Sequence, residues 1–314
     1  MKPYVIQLIG DLKWSSLDTL VRQIQLCRIA RGVFFDLDLQ NVRFCHPSGI
    51  VCLAAGIRYL EAQGFHLISL KLPANSDVAF YLQRIGLFSD LGIPDVLEIR
   101  RRDATGRFVE LVHLPAPAGD EEAKNAIETA VDQALGVITS NVSVSPDGQN
   151  MIWNVLTEVT ENIFNHAEST LGGYVCSQTY PNNKEVHVTI ADLGIGIEAS
   201  LRRNPRNEKR INEAGAIRTA LEKGVTARPE NCGGGIGLFF SSQIIRQNRG
   251  NLGVYSRSEM YTQTPRSTTT ESAPTWPGTI IDLKFKTDRP IKVSEFYGQD
   301  DIGTDLDGIF DAPI

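Results

Sequence analysis

Nothing in this chain of 314 residues reads as a membrane span. No run of about 18 apolar residues occurs, and no basic-then-apolar leader opens it. The expectation is a cytosolic, cytoplasmic protein with no membrane partner. Cysteine is scarce, at five residues without a Cys-x-x-Cys pair, which argues for reduced thiols and against a zinc knuckle. Positive charge is in deficit too: a formal net charge of −6 argues against nonspecific nucleic-acid affinity. No Gly-Lys-Ser/Thr follows the glycine stretch at 233–237, so there is no Walker loop. Those glycines do not join a first strand to a first helix either, so they are no dinucleotide fingerprint. No internal repeat is present. What the chain does have is 42% apolar residues over a length that suits two ordinary cores.

Three elements in the second half carry chemistry. From 149 to 167 apolar residues fall at Ile152, Val155, Leu156, Val159 and Ile163, the stripe of an amphipathic helix with Asp147 as its N-cap. Glu158 and Asn162 project from neighbouring turns of one face of that helix. A carboxylate beside a carboxamide can hold a hard cation and orient a water, or it can be an ordinary solvated face. Next come strands at 174–180 and 185–191 around a turn at 181–184, and Asp192, Gly194 and Gly196 follow the second strand. A carboxylate there can accept a hydrogen bond from an exocyclic amine such as that of adenine, and it can equally belong to a common turn. Last, Gly233, Gly235 and Gly237 lead into an apolar helix that ends near Arg249, with Gly250 expected at its C-cap. Free N–H groups at a helix start form an anion site.

Taken together, residues 146–287 resemble the ATP-binding domain shared by gyrase, the heat-shock chaperone ATPase, histidine kinases and MutL, the GHKL or Bergerat fold. The resemblance implies ATP and Mg2+ as cofactors. It implies Glu158 as the water-activating glutamate, Asn162 as the magnesium-binding residue, and Asp192-x-Gly194-x-Gly196 as the adenine box. Gly233-x-Gly235-x-Gly237 corresponds to the phosphate box, and Thr279, after Pro277-Gly278, to the threonine that supports the adenine-binding Asp. The segment 198–232 then corresponds to the ATP lid. Its Arg202, Arg203, Arg206, Lys209 and Arg210 read either as phosphate ligands or as a solvated basic loop.

The first hundred residues carry a second pattern. A strand at 33–37, a helix opened by His46-Pro47-Ser48-Gly49, a strand at 66–72 and a helix through Val78 and Leu82 follow one another. This order resembles a STAS domain, the fold of anti-sigma-factor antagonists. The resemblance makes Ser48 a phosphoacceptor position, although the usual Asp-Ser-Ser-Gly is replaced here; capping of the helix is the other role open to it. A helix at 120–138 contains no His, which argues against histidine autophosphorylation.

The fold class expected is α/β, an N-terminal STAS-like α/β domain followed by a GHKL α/β sandwich. The divisions are 1–100 for the first domain, 101–145 for a linker and connecting helix, 146–287 for the ATP-binding domain and 288–314 for an acidic tail. Residues 256–277, rich in Ser, Thr and Pro, read as a flexible insertion. The function expected is that of an ATP-binding regulatory protein, a serine/threonine kinase of the anti-sigma type acting on a partner protein that the sequence does not name. An ATPase clamp and a non-catalytic nucleotide sensor are the alternatives, and homodimer formation stays open.

Overall fold

The computed structural model describes residues 2–30, 32–93, 97, 106–116, 121–165, 169–227, 235 and 237–292, the side chains of 162–165 excepted. Most of the expected acidic tail, 293–314, therefore lies outside the described residues. The chain is mixed α/β, with two sheets among the described residues.

The first is a three-stranded parallel sheet of β1 (Tyr4–Leu12), β2 (Phe34–Cys45) and β3 (His66–Lys71), in that order. Parallel neighbours need crossovers, supplied by α1 (Leu17–Ile29) and α2 (Pro47–Ala62). Right-handed crossovers that step in one direction put both helices on the same face. The opposite face is left open, and Val5, Ile9, Phe34 and Ile68 are exposed. Next come α3 (Ser76–Arg84) and α4 (Leu87–Asp90), separated by Gly86. The sequence reading lacked both β1 and α1. The reason is that β1 mixes a glycine and polar residues into its alternation, and α1 carries charge through its middle.

The second sheet is antiparallel and seven-stranded. Its strands are β4 (Phe108–Leu114), β5 (Gly173–Tyr180), β6 (Glu185–Asp192), β7 (Asn251–Ser256), β8 (Glu259–Gln263), β9 (Thr268–Ser272) and β10 (Thr279–Lys286). Their spatial order is β4-β5-β6-β10-β7-β8-β9. Two expectations change here. Within 101–145, β4 pairs with β5, and the helix α5 (Glu121–Asn141) packs on the same sheet. Within 256–277, β8 and β9 extend the sheet as a hairpin, because Thr-rich segments satisfy the ladder as well as a loop does.

Strand alternation gives this sheet two different faces. Val175, Val188, Val254, Ile281 and Leu283 point to one side, where α5, α6 (Pro146–Asn165) and α10 (Gly237–Gln247) cover them. Tyr174, Cys176, Ala191, Tyr255 and Ile280 point to the other side and join the core of the N-terminal unit. Helix α2 is thereby enclosed between the two sheets and is buried around its whole circumference from Pro47 to Ile57. That explains its nearly uniform apolar sequence. Two terminal details differ from expectation. The cap of α6 is Ser145, whose Oγ accepts the Gly148 N–H at 3.2 Å, because Pro146 takes the first helical position and displaces Asp147 inward. At the end of α10 the left-handed residue is Arg249, not Gly250.

Polar side chains pin the two units together. Arg58 on α2 donates to the Tyr174 hydroxyl at 2.8 Å, and that hydroxyl donates to Asp90 at 3.0 Å. Trp14 donates its indole N–H to Thr262 at 2.9 Å, and Tyr81 donates to Gln178. Replacing Tyr174 by Phe keeps the ring but strips both Arg58 and Asp90 of a partner. We expect a stability loss of about 1–3 kcal/mol in urea unfolding. A loss below about 0.5 kcal/mol would show that the network is energetically neutral.

Candidate functional site

Asp192 is the last residue of β6, and the register places it beside the start of β10. Its side chain is buried, at 8% exposure. The Gly194 N–H donates to Oδ1 at 2.8 Å, and both the main-chain N–H and the hydroxyl of Thr279 donate to the carboxylate. Burial pushes the Asp192 carboxyl up to about 7, while those hydrogen bonds pull the other way. A side chain on Gly278 would place its Cβ 2.5 Å from Asp192 Oδ1, and φ is +124° there, so only glycine leaves the carboxylate its space. Helix α7 (Gly196–Leu201) starts next to it, anchored by the Ile197 N–H, which donates to Ser256 Oγ at 2.8 Å. That oxygen lies 3.2 Å from Thr279 Oγ1. Ser256 and its neighbour Arg257, whose side chain covers Gly196, were not read from the sequence. No local pattern distinguishes them, since a serine at a strand end is common.

A second cluster forms where α6 meets α10. Glu158 lies on α6, and a Cβ on Gly237, the first residue of α10, would sit 2.9 Å from its Cδ. Glycine here lets the Glu158 side chain lie across the start of α10, where backbone N–H groups are free of helical partners. Gly235 accepts from the Gly224 N–H at 3.2 Å, which ties the chain after α9 to this glycine run. Asn162 lies one turn further along α6; its side chain, and Gly233, lie outside the described residues.

The expected lid joins the two clusters. It contains α7, α8 (Glu208–Ala214) and α9 (Ala216–Ala220), folded around Leu201, Ile211, Ala216, Ala220 and Val225. Ile197 from the Asp192 side and Leu238 from the α10 side both pack on this small core. The basic side chains are engaged locally: Arg202 with Glu198 at 2.9 Å and Arg210 with Glu222 at 3.5 Å. Such exposed pairs contribute little. They agree with a solvated basic loop. A firmer anchor is Glu259 on β8, which accepts the Ile217 N–H at 3.4 Å at the start of α9 and whose carboxyl burial shifts upward. Arg218 adds a bond to Thr270 on β9 at 2.9 Å. Glu259→Ala should release α9 from the hairpin. Limited trypsin digestion should then cut residues 202–223 several-fold faster than in the parent, and equal rates would dismiss the anchor.

Ser48 belongs to neither cluster. It occupies the second position of α2, is 1% exposed and faces the space between the sheets. Before it, His46 stacks on His187 with their Nδ1 atoms 3.3 Å apart, and burial followed by the neighbouring His187 lowers His46 to about 4. A kinase reaches Ser48 only if α2 leaves the sheet.

Among the described residues no group of three or more His, Cys, Asp or Glu could hold a metal ion, and no helix is long and apolar enough to cross a membrane. No protein-family model and no curated protein matches the chain.

Proposed function

We propose that the chain is an ATP-binding regulatory protein, with a GHKL-type nucleotide site in residues 146–287 and a STAS-like unit packed behind it. One observation carries the reading: a buried carboxylate, Asp192, is held by Thr279 and Gly194 and closely backed by Gly278, which admits no Cβ. An acceptor buried and oriented in this way suits an exocyclic amine, and adenine presents one. The residues fit the nucleotide in two further respects. Gly237 lets the Glu158 side chain lie across the start of α10, and the free N–H groups of such a helix start suit a phosphate. Magnesium, bound with the nucleotide, would neutralise phosphate charge; Asn162 is the residue to hold it, and phosphate oxygens would complete its shell. Glu158 is placed to orient or deprotonate the group that attacks the terminal phosphate.

The activity proposed is phosphoryl transfer to a serine or threonine of a partner protein. The lid's own core, which touches both clusters, favours an ATPase clamp as second reading, since a compact lid can move as one body. Incubation of the purified chain with γ-labelled ATP and magnesium, alone and with cell extract, separates the outcomes. Phosphoprotein supports the kinase, free phosphate the clamp, and bound but unchanged ATP a sensor. Absence of ATP binding in calorimetry would overturn all three.

A further inference from the structure

The loop between β9 and β10, residues 273–278, makes contacts in three directions within a few residues. Toward α1, the Gln25 side-chain amide donates to the Thr275 carbonyl at 2.7 Å. Toward α2, the fully buried indole of Trp276 lies over Gly56, where a Cβ would come within 3.7 Å of Trp276 Cζ3. Toward the candidate site, the Trp276 indole N–H donates to the main-chain carbonyl of Asp192 at 3.3 Å. Two residues on, Gly278 faces the Asp192 carboxylate, and Thr279 hydrogen-bonds it. The loop is also tied to the β7–β8 turn, with the Trp276 N–H donating to the Arg257 carbonyl at 2.7 Å and the Arg257 N–H to the Gly278 carbonyl at 3.2 Å. Tyr255 donates to the Pro274 carbonyl beneath it.

Trp276 thus touches both a helix of the N-terminal unit and the backbone of Asp192. Gly56 has the same logic from the other side. Any larger residue there would meet Ile24 of α1 and press toward the indole. An indole so placed cannot shift without moving either α2 or the end of β6, because close-packed interiors transmit displacement and do not absorb it.

We propose that Trp276 is a positioning residue for the Asp192 site, and that through it the seating of the N-terminal unit sets nucleotide affinity. The N-terminal unit is then a built-in regulator: a partner that draws α1 and α2 away from the loop weakens ATP binding. Because such coupling is reciprocal, bound ATP holds the N-terminal unit more firmly in place. This inference rests on the nucleotide-site reading and adds to it the means of control.

The test measures ATP–magnesium affinity by calorimetry in the full chain and in Trp276→Phe, Gln25→Ala and Asp192→Asn. Trp276→Phe removes the donor to the Asp192 carbonyl together with part of the buried ring system that faces Gly56. Gln25→Ala acts from α1, with no contact to the site. Both should weaken ATP binding by about threefold to tenfold, the range of one lost hydrogen bond; Gln25→Ala should do so with a melting temperature close to the parent's, whereas Trp276→Phe also loses buried volume and should melt lower. Reciprocally, ATP should slow amide exchange in α1 and α2 of the parent, and less so in Trp276→Phe. Weakened binding in Asp192→Asn together with parent-like affinity and exchange in the other two variants overturns the inference and leaves the site reading intact. A parent chain that binds no ATP overturns both.

Discussion

Asp192→Asn is expected to bind ATP about tenfold to a hundredfold more weakly than the parent. The substitution exchanges a charge-assisted acceptor, worth about 1.5–3 kcal/mol, for a neutral amide whose own N–H groups must compete for the same space. Discrimination between ATP and GTP should fall along with affinity. The pH dependence gives an independent sign. In the unliganded protein the Asp192 carboxyl titrates at about 7, raised by burial from 3.8. Below that pH the acid is protonated and the charged acceptor is lost, so parent affinity should fall as pH drops from 8 to 6, approaching tenfold per unit. The variant has nothing to titrate there. Comparing parent and variant at each pH cancels the titration of the nucleotide's own phosphates. Stability runs the opposite way. The folded chain holds a proton on Asp192 that the unfolded chain releases between pH 3.8 and 7, so this residue's contribution to stability declines as pH rises through that window. Parallel pH profiles in parent and variant would remove Asp192 from the site.

Glu158→Gln is expected to bind ATP as the parent does and to lose turnover by about a hundredfold to ten-thousandfold, the usual contribution of a positioned acid or base. The isosteric amide keeps the contact with Gly237 while removing basicity. Asn162→Ala should behave differently, losing the part of ATP affinity that depends on magnesium. Calorimetry with and without magnesium, together with single-turnover measurement of label release or transfer, distinguishes the two. Equal loss of binding in both variants would make Glu158 a packing residue at the α6–α10 junction, and the chemistry assigned to it would fail. The distinction matters for the two functional readings. A kinase and an ATPase clamp both need Glu158, whereas a sensor does not.

Much of this architecture is legible in local pattern. Val186, Val188 and Ile190 alternate and form β6; Ile152, Val155, Leu156 and Val159 recur at helical spacing and are buried on α6. The pairing of Asp192 with Thr279 is different. A sequence of two glycine boxes and a late Gly-Thr suggests it only through family resemblance, because 87 positions separate the partners. What brings them together is β10, the last strand, inserting beside β6 in antiparallel register. The edge strand β4 and the hairpin β8–β9 escaped notice for a related reason. Neither has a strong pattern of its own, and each becomes a strand because a neighbour offers an unpaired edge.

By itself, the sequence determined which residues are apolar and at what period, and hence the existence of both units and of the glycine-bordered turns. Those are local properties, decided by side-chain volume, alternation and the conformations that glycine and proline allow. Only the tertiary structure decided that α2 is enclosed between two sheets. That enclosure buries Ser48, seats Trp276 between Gly56 and Asp192, and joins the N-terminal unit to one face of the seven-stranded sheet in a shared core. An all-round apolar helix states that it will be buried, but not against what. The second surface it meets is the Tyr174–Ile280 face of the seven-stranded sheet, the face opposite the one that α5, α6 and α10 cover.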